Sequence, residues 1–284
     1  MVLGGLWLAR RWHVPHLSHV HEIFWQHRAV VGGVERLLVR SDAIICASKA
    51  VREQFRSPAC RRRCRVAHSG VEVPDVLVAT TPLMRAVPRV VCVGRLSDLK
   101  GQDLLIDAVH RCAANGQPMD LHLVGDVYAA EDQHKRRLQA QVRRLGLQDV
   151  VHFEGERRDV LRFVADSDVL VLPSRRPEAF GMALVEAMAL ARPVIASAAG
   201  GPLEIVTHGR DGLLVAPGSI RELADALRQL VDEPERARAM GEQARRRARS
   251  FTVAAMVDAV LAVYDEVADG RGRGGREGGG VRCV

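Results

Sequence analysis

Short apolar runs alternate with amphipathic stretches through the middle and end of the chain. Runs such as VVCV (90–93) and DVLVLPS (168–174) are apolar along their whole length, which is typical of strands buried on both faces of a parallel sheet. Between 89 and 216 these strand patterns alternate with helix patterns, as a doubly wound α/β domain requires. We therefore predict one complete doubly wound parallel-sheet domain over residues 83–268.

The first 82 residues hold fewer of these patterns. Strands are predicted at 16–20, 43–46 and 65–67, after a helix with the sequence VLGGLWLARRW. A complete doubly wound domain takes about 150 residues, so residues 1–82 are predicted to form only a partial Rossmann-like domain with an unpaired sheet edge. A start codon placed too late, a degenerate gene and a partner chain that completes the domain each explain this, and the first is favoured. The Gly- and Arg-rich residues 269–284 are predicted to be a disordered tail.

The segment RPEAFGMALVEAMALARPVIAS (176–197) predicts a loop, a helix and a strand that follow the run at 168–174. Glu178 falls in the loop, beside free helix amides that attract an anion such as a diphosphate, so Glu178 suits neutral hydroxyls. Glu186 falls on the helix face turned away from the sheet and suits a ribose diol. The buried face, counted from Phe180, is predicted to comprise Leu184, Ala187, Met188 and Ala191. The alternative is one acidic residue favoured by the helix dipole and one solvated glutamate.

A basic glycine loop follows the strand at 90–93. Gly94 and Gly101 bracket Arg95 and Lys100 in VVCVGRLSDLKGQDLLIDAV. Glycine lets backbone approach a ligand closely, and the two cations neutralise phosphate. A lysine near a turn is usually just solvated. Together with the two glutamates, however, these residues offer the mixture that a nucleotide-diphosphate sugar needs.

The order and spacing of several segments resemble the C-terminal domain of a family 4 glycosyltransferase of the GT-B fold. The matching segments are VGRLSDLKG, LHLVGD, VVHFEG, DVLVLPSRRPEAFGMALVEAMA, PVIASAAGGPLEIV and HGRDGLLVAPG. The resemblance implies that Arg95 and Lys100 bind the donor diphosphate and that Glu186 binds the ribose. It also implies that Glu178 binds sugar hydroxyls with the amides of Phe180 and Gly181, that Gly200 and Gly201 line the cleft, and that the base lies near VVHFEG.

The N-terminal part resembles the same family more weakly. PHLSHVHEIFW (15–25) is similar to the segment that brings a histidine to the cleft, which is His21 here. RVAHSGVEVP (65–74) is similar to the segment entering the interdomain linker, but Ser69 replaces the family's usual asparagine. His21 has two other readings: a structural residue of a His-rich segment, or part of a metal cluster. The cluster is disfavoured because carboxylate and cysteine partners are missing.

The resemblance implies a retaining, hexosyltransferase-like enzyme that moves a sugar from a nucleotide-diphosphate donor to a hydroxyl acceptor. Its predicted catalytic residues are His21, Arg95, Lys100 and Glu178, with no cofactor and no metal. The expected acceptor is a glycan or a lipid-linked molecule. Two alternatives stay open: a catalytically silent or split-enzyme nucleotide-sugar-binding module, and a GT-B epimerase.

Composition and charge agree with a globular cytoplasmic protein. Hydrophobic residues make up 48% of the chain, and no apolar run is long enough to span a bilayer. The six cysteines are scattered: Cys46 and Cys92 fall in predicted strands and are expected to be buried thiols, and Cys60 and Cys64 fall in a predicted loop. The net charge of +7 allows peripheral contact with the inner membrane face, but aromatic residues are only 4% and no nucleic-acid partner is expected.

Overall fold

The chain divides into two units, each built on its own parallel sheet. The computed structural model describes residues 2–24, 28–72, 85–127 and 132–274. The first unit comprises Met1–Gly70 and Val253–Val284, and the second comprises Val71–Thr252. The boundary predicted between residues 82 and 83 lies outside the described residues, and so do residues 275–284 of the predicted tail.

The first unit contains a three-stranded sheet in the order β1-β2-β3, with both pairings parallel. All four residues of β2 are buried, and α12 covers one face of the sheet through Val263, which packs with Ala43, Ile45 and Ala67. The three strands lie where the hydrophobic pattern predicted them. The elements of this unit are α1 (Val2–Trp12), β1 (Leu17–Val20), α2 (Arg28–Leu38), β2 (Ala43–Cys46), α3 (Lys49–Glu53), α4 (Pro58–Arg63), β3 (Cys64–Val66) and α12 (Val253–Gly274).

The second unit contains six strands separated by helices. In chain order its elements are β4 (Arg89–Val93), α5 (Gln102–Ala114), β5 (Asp120–Val124), α6 (Asp132–Arg144), β6 (Val151–Gly155), α7 (Val160–Ala165), β7 (Val169–Leu172), α8 (Met182–Ala189), β8 (Val194–Ser197), α9 (Pro202–Ile205), β9 (Leu213–Val215), α10 (Ile220–Asp232) and α11 (Pro234–Ala248), followed by a short 3₁₀ helix (Arg249–Phe251).

The six strands lie in the order β6-β5-β4-β7-β8-β9, and every pairing between them is parallel. The order reverses between β4 and β7, so the loops that follow these two strands diverge from the same point. Ligands of open α/β sheets bind beyond the carboxyl ends of the strands at such a reversal. The topology therefore places the loops after β4 and β7 where a ligand is expected.

Two hydrophobic clusters cover the opposite faces of this sheet. Successive residues of β4 alternate between them, because Val90 and Cys92 belong to one cluster and Val91 to the other. Helices α5 and α10 pack in the first cluster, α8 packs in the second, and α11 contributes residues to both. Burial on both faces explains why the strands are apolar along their whole length. The predicted α/β fold with doubly wound parallel strands is confirmed.

Helix α8 is shorter than its predicted length. Gly181 is its N-cap in a left-handed conformation, with φ at 114°, and the helix ends at Ala189 rather than near the predicted end at Arg192. Leu184, Ala187 and Met188 are fully buried as expected. Ala191 lies beyond the helix, which ends at Ala189, and it has a positive φ of 57°. The prediction of Ala191 on the buried helix face was therefore wrong.

Other local predictions, on the C-terminal tail and on two cysteines, were wrong. Residues 269–274 belong to α12 rather than to a disordered tail. Cys60 lies in helix α4 and Cys64 in strand β3 rather than in a loop, and both are buried free thiols, like Cys46 and Cys92. None of the helices in the described part of the chain combines the length and the apolar character needed to cross a bilayer.

Candidate functional site

The loops after β4 and β7 are held against each other by backbone contacts. The Arg175 amide donates a hydrogen bond of 2.9 Å to the Leu99 carbonyl oxygen. Gly101, with φ at 69°, lies so close to the second loop that a Cβ atom would stand 2.2 Å from the Pro173 carbonyl oxygen. Only glycine fits there, because both the conformation and the space exclude a side chain. The close contact fixes the position of Lys100, the residue before Gly101.

Lys100 and Glu178 form an ion pair at this junction. The Lys100 Nζ atom lies 2.7 Å from Glu178 Oε1 and 3.0 Å from Oε2, and the Ser174 hydroxyl also hydrogen-bonds to Glu178 Oε1. The side chains are 28% and 16% exposed, so solvent still reaches the pair. The structure thus brings together two predicted site residues that are far apart in the chain. Ser174 was not predicted, although it stands at the end of the apolar run at 168–174.

The predicted glycines after β8 fix the backbone of Glu178. The Gly201 amide donates to the Glu178 carbonyl oxygen at 2.8 Å, and the Glu178 amide donates to the Ala199 carbonyl oxygen at 3.3 Å. A Cβ atom on Gly200 would lie 2.2 Å from the Glu178 carbonyl oxygen, and one on Gly201 would lie 2.1 Å from the Phe180 carbonyl oxygen. The loops after β7 and β8 are therefore paired, and both glycines are needed for the close approach.

The amino end of α8 lies directly after Glu178. The N-cap residue Gly181 has no side chain that could cap the first turn, so this end of the helix presents backbone amides. The Phe180 ring is buried and packs edge to face on Phe251, with ring centroids 5.7 Å apart. The Phe180 side chain is thus packed in the core and is not available to a ligand. Backbone amides and the helix dipole favour an anion at this position.

Glu186 lies one helical turn further along α8 and is partly buried. Burial raises the pKa of its carboxyl group above the ordinary value. No partner of this side chain lies among the described residues. A half-buried carboxyl group with unsatisfied oxygens is costly, and it is suited to accept hydrogen bonds from ligand hydroxyls.

A pocket of about 300 Å³ lies at the carboxyl ends of β4, β5 and β6. Gly94, with φ at 147°, and Arg95 form one wall, so the pocket continues from the basic glycine loop. Its lining residues are Val93, Gly94, Arg95, Val124, Gly125, Asp126, Val127, Glu156, Arg157 and Val160.

The charged residues on the other walls of this pocket were not predicted. Asp126 forms an ion pair with Lys135 at 2.9 Å, and Arg157 donates to Glu154 Oε2 at 3.0 Å. Asp126 ends the segment LHLVGD, so its position at the end of a buried strand was a usable signal. Glu156 and Arg157 follow VVHFEG, and nothing in their local pattern separates them from a solvated turn.

His21 lies in the first unit, whereas every other predicted site residue lies in the second. It is exposed just beyond the carboxyl end of β1, and its ring stacks on that of His19 with centroids 6.1 Å apart. Burial and the neighbouring His21 lower the pKa of His19.

Sequence comparisons agree with this geometry. The family described as "Glycosyl transferases group 1" matches residues 85–247. The D-inositol 3-phosphate glycosyltransferase of Kineococcus radiotolerans is 36% identical over 187 residues, which cover 61% of this chain and 42% of that protein. The enzyme of the same name from Geodermatophilus obscurus is 30% identical over 93% of this chain and 64% of its own length. The chain thus spans less than two thirds of the length of these relatives.

Solved structures extend the similarity to the whole described fold. HepE of Anabaena, solved in complex with UDP and glucose, superposes with a TM-score of 0.82 and 26% identity over 94% of this chain and 75% of that one. Sucrose-phosphate synthase from Thermosynechococcus elongatus gives a TM-score of 0.78 and 25% identity over 93% of this chain and 72% of that one. Because the family match covers more than half of the sequence, this chain belongs to the group 1 glycosyltransferases of the GT-B fold.

Proposed function

We propose that this chain is a retaining family 4 glycosyltransferase that moves a sugar from a nucleotide-diphosphate donor to a hydroxyl acceptor. The observation that carries the proposal is the Lys100–Glu178 ion pair, held between glycine-built loops beside the amino end of α8. It combines a cation for phosphate with a carboxylate for hydroxyls, next to backbone amides for a second anionic group. The UDP and glucose bound by HepE of Anabaena are of the same two chemical kinds.

The diphosphate is assigned to the cationic side of this site. Lys100 supplies a mobile point charge, Arg95 supplies a planar guanidinium group, and the first turn of α8 supplies amides. Departure of the diphosphate develops negative charge on its oxygens. Groups that are already oriented toward this charge lower the barrier more than groups that must rearrange.

The sugar is assigned to Glu178. In the free protein this carboxylate already accepts hydrogen bonds from Lys100 and Ser174, so donor binding replaces the lysine contact by sugar hydroxyls. Lys100 is thereby released toward the diphosphate. Gly200 and Gly201 fix the carboxylate because any larger residue would collide with the backbone at Glu178 or Phe180.

The nucleoside is assigned to Glu186 and the pocket beyond Arg95. Ribose hydroxyls donate to the carboxylate of Glu186, which has no partner among the described residues. The base occupies the pocket of about 300 Å³, which Gly94 and Gly125 line with backbone. This assignment agrees with the predicted position of the base near VVHFEG.

The reaction needs no covalent intermediate with the protein. The bond between the anomeric carbon and the diphosphate oxygen breaks, and the acceptor oxygen bonds to the same face of that carbon. The acceptor proton passes to the departing phosphate oxygen. His21 is assigned to the acceptor side of the reaction on the family resemblance, and the acceptor is assigned as a glycan or a lipid-linked hydroxyl compound.

A ligand titration tests the donor assignment. UDP, GDP, ADP and their sugar conjugates are added to the full chain, and the midpoint of thermal unfolding is recorded. A ligand at 100 times its dissociation constant adds about 2.7 kcal/mol to the unit that binds it. One nucleotide series is expected to raise the midpoint by several degrees. Absence of any shift from a folded sample would contradict the proposal.

Variants of two lysines separate the diphosphate contact from general effects. Lys100→Ala is expected to weaken binding of the nucleoside diphosphate by about tenfold or more, corresponding to about 1.4 kcal/mol, and to leave binding of the nucleoside unchanged. Lys49→Ala, at an exposed lysine of the first unit, is the matched control. Donor turnover with and without an acceptor then distinguishes a transferase from an epimerase and from a silent binding module.

A further inference from the structure

A group of histidines and carboxylates lies on one face of strands β5 and β6, apart from the glycine loops. We call Asp120, His122 and His152 the histidine cluster. His122 and His152 are direct neighbours in the parallel register, and β6 is an edge strand of the six-stranded sheet. Their rings stack with centroids 4.7 Å apart. The two residues are far apart in the sequence, so only the strand pairing brings them together.

Asp120 bridges the Nε2 atoms of the two rings. Its Oδ2 atom is 2.8 Å from His122 Nε2, and its Oδ1 atom is 2.7 Å from His152 Nε2. Both Asp120 oxygens are thus directed at imidazole nitrogens.

Glu154 holds the other nitrogen of His122. The Glu154 Oε1 atom lies 2.8 Å from His122 Nδ1, so both ring nitrogens of His122 face carboxylate oxygens. A neutral imidazole ring has a single N–H group. When Nδ1 donates to Glu154, the lone pair of Nε2 points at the Asp120 carboxylate, and this arrangement needs a cation between them. A proton or a metal ion meets that need.

The arrangement matches the way in which proteins hold transition metals. A ligating histidine commonly donates its second N–H to a carboxylate, which fixes the ring and its tautomer, as Glu154 does for His122. Two imidazole nitrogens and one carboxylate oxygen suit zinc and its neighbours in the first transition series. The three ligand atoms of the histidine cluster lie within 4.8 Å of one another. Small side-chain rotations bring each of them to a bond length of about 2.0–2.2 Å.

We propose that Asp120, His122 and His152 bind a divalent transition-metal ion of the zinc type, with Glu154 as the outer partner of His122. This revises the prediction that the chain has no metal site. The ion is a structural one, because the cluster lies on the strands and not among the loops assigned to the donor. It ties edge strand β6 to β5, and its fourth position is open to water.

The nearby arginines leave room for this ion. Arg89 Nε is 3.8 Å from Asp120 Oδ2, too far for a hydrogen bond, and the Arg89 guanidinium group forms an ion pair with Asp166. Arg157 Nη1 donates to Glu154 Oε2 at 3.0 Å, the carboxylate oxygen that does not contact His122. Since Arg157 also lines the pocket of about 300 Å³, an ion in the histidine cluster fixes one wall of that pocket through Glu154.

Metal titration of the full chain tests the proposal. The protein is stripped with a chelator, and Zn²⁺ is added in competition with a chromophoric chelator to obtain stoichiometry and affinity. Co²⁺ is added in a parallel experiment, because its visible absorption reports nitrogen and oxygen coordination. His152→Ala is compared with His110→Ala, which removes an exposed histidine of α5. The His152 side chain is 39% exposed, so its removal leaves little core disturbed.

The expected result is a difference of one metal equivalent. The unmodified protein and His110→Ala bind Zn²⁺ at a site where His152→Ala binds it at least tenfold more weakly. The Co²⁺ absorption differs between the proteins in the same way. Any Zn²⁺ binding by histidines near the start of the chain is the same in all three proteins. Equal Zn²⁺ binding by His152→Ala and His110→Ala, or no binding by the unmodified protein, would overturn the proposal. Asp120→Asn gives the same test if His152→Ala does not fold.

Discussion

At the scale of single residues, the binding role proposed for Glu186 opposes the stability of the fold. Its carboxyl group is partly buried on α8 without a partner among the described residues, and burial raises its pKa. The folded protein therefore keeps a proton on Glu186 at pH values where the unfolded chain has released it. The stability due to this group falls as the pH rises from the ordinary carboxyl value through the raised one.

The substitution Glu186→Gln removes this dependence. At neutral pH we expect the free energy of unfolding to increase by roughly 1 kcal/mol, because a neutral amide is less costly to bury than a carboxylate. Below the ordinary glutamate pKa of about 4.3 the difference disappears, since both forms are then neutral. Urea unfolding at the two pH values measures it. Glu242→Gln, at an exposed glutamate of α11, serves as the control, and equal effects of the two substitutions at neutral pH would refute the explanation.

The same residue illustrates what the sequence could supply. Its position on the helix face away from the sheet followed from counting residues, and so did the burial of Leu184, Ala187 and Met188. Contacts between separate loops could not be predicted from the sequence in this way. The hydrogen bond from Ser174 to Glu178 depends on the path of the loop after β7, and local periodicity says nothing about that path.

At the scale of elements, the crowded space around Gly200 and Gly201 fixes the loops after β7 and β8. Gly200 and Gly209 both have left-handed backbones, with φ at 75° and 76°, but only Gly200 is crowded. A Cβ atom on Gly200 would lie 2.2 Å from the Glu178 carbonyl oxygen, whereas one on Gly209 would meet nothing within 4 Å. This pair separates the cost of backbone conformation from the cost of collision.

We therefore expect unequal effects from the same substitution at these two glycines. Gly209→Ala should destabilise the protein by about 1 kcal/mol, the cost of a left-handed alanine. Gly200→Ala should cost about 2 kcal/mol more through the collision, and it should also weaken nucleoside-diphosphate binding because Glu178 moves. Denaturant unfolding and a ligand titration measure the two quantities. If both variants lost the same stability and kept full affinity, the loop contact would have no role in binding.

Element boundaries show where sequence patterns reach their limit. The strands were predictable because apolar runs are long and continuous, but α8 ends earlier than predicted, at Ala189, and Ala191 adopts a positive φ beyond it. At the start of α10 a capping box is only half formed: Ser219 Oγ accepts from the Glu222 amide, while the Glu222 carboxylate accepts from the Ala216 amide rather than from the Ser219 amide. Neighbouring His122 and His152 follow from strand register, which no local pattern encodes.

At the scale of the whole molecule, two units with separate sheets divide the predicted site residues between them. Every residue assigned to the donor lies in the second unit. This unit has two hydrophobic clusters of its own, one on each face of its sheet. Binding of the donor is therefore expected to stabilise the second unit directly.

Hydrogen exchange tests this division. With the nucleoside diphosphate that gives the largest thermal shift, at 100 times its dissociation constant, amides that exchange through opening of the second unit should slow by about 100-fold. Peptides from β1 to β3 should change far less. Mass spectrometry of digested samples measures both, and Lys100→Ala at the same ligand concentration is the control. Protection confined to the first unit would contradict the assignment of the donor residues.

The pairing of the loops after β7 and β8 has a consequence for engineering. Hydrogen bonds from Gly201 to Glu178 and from Glu178 to Ala199 join the loops into one structural piece. If one loop alone were transferred from a relative with another sugar preference, its side chains would be suited to the second loop of that relative, which was not transferred. On the proposed donor site, sugar preference would be changed by exchanging both loops together, and libraries that vary both loops together should yield more folded variants than libraries that vary either one.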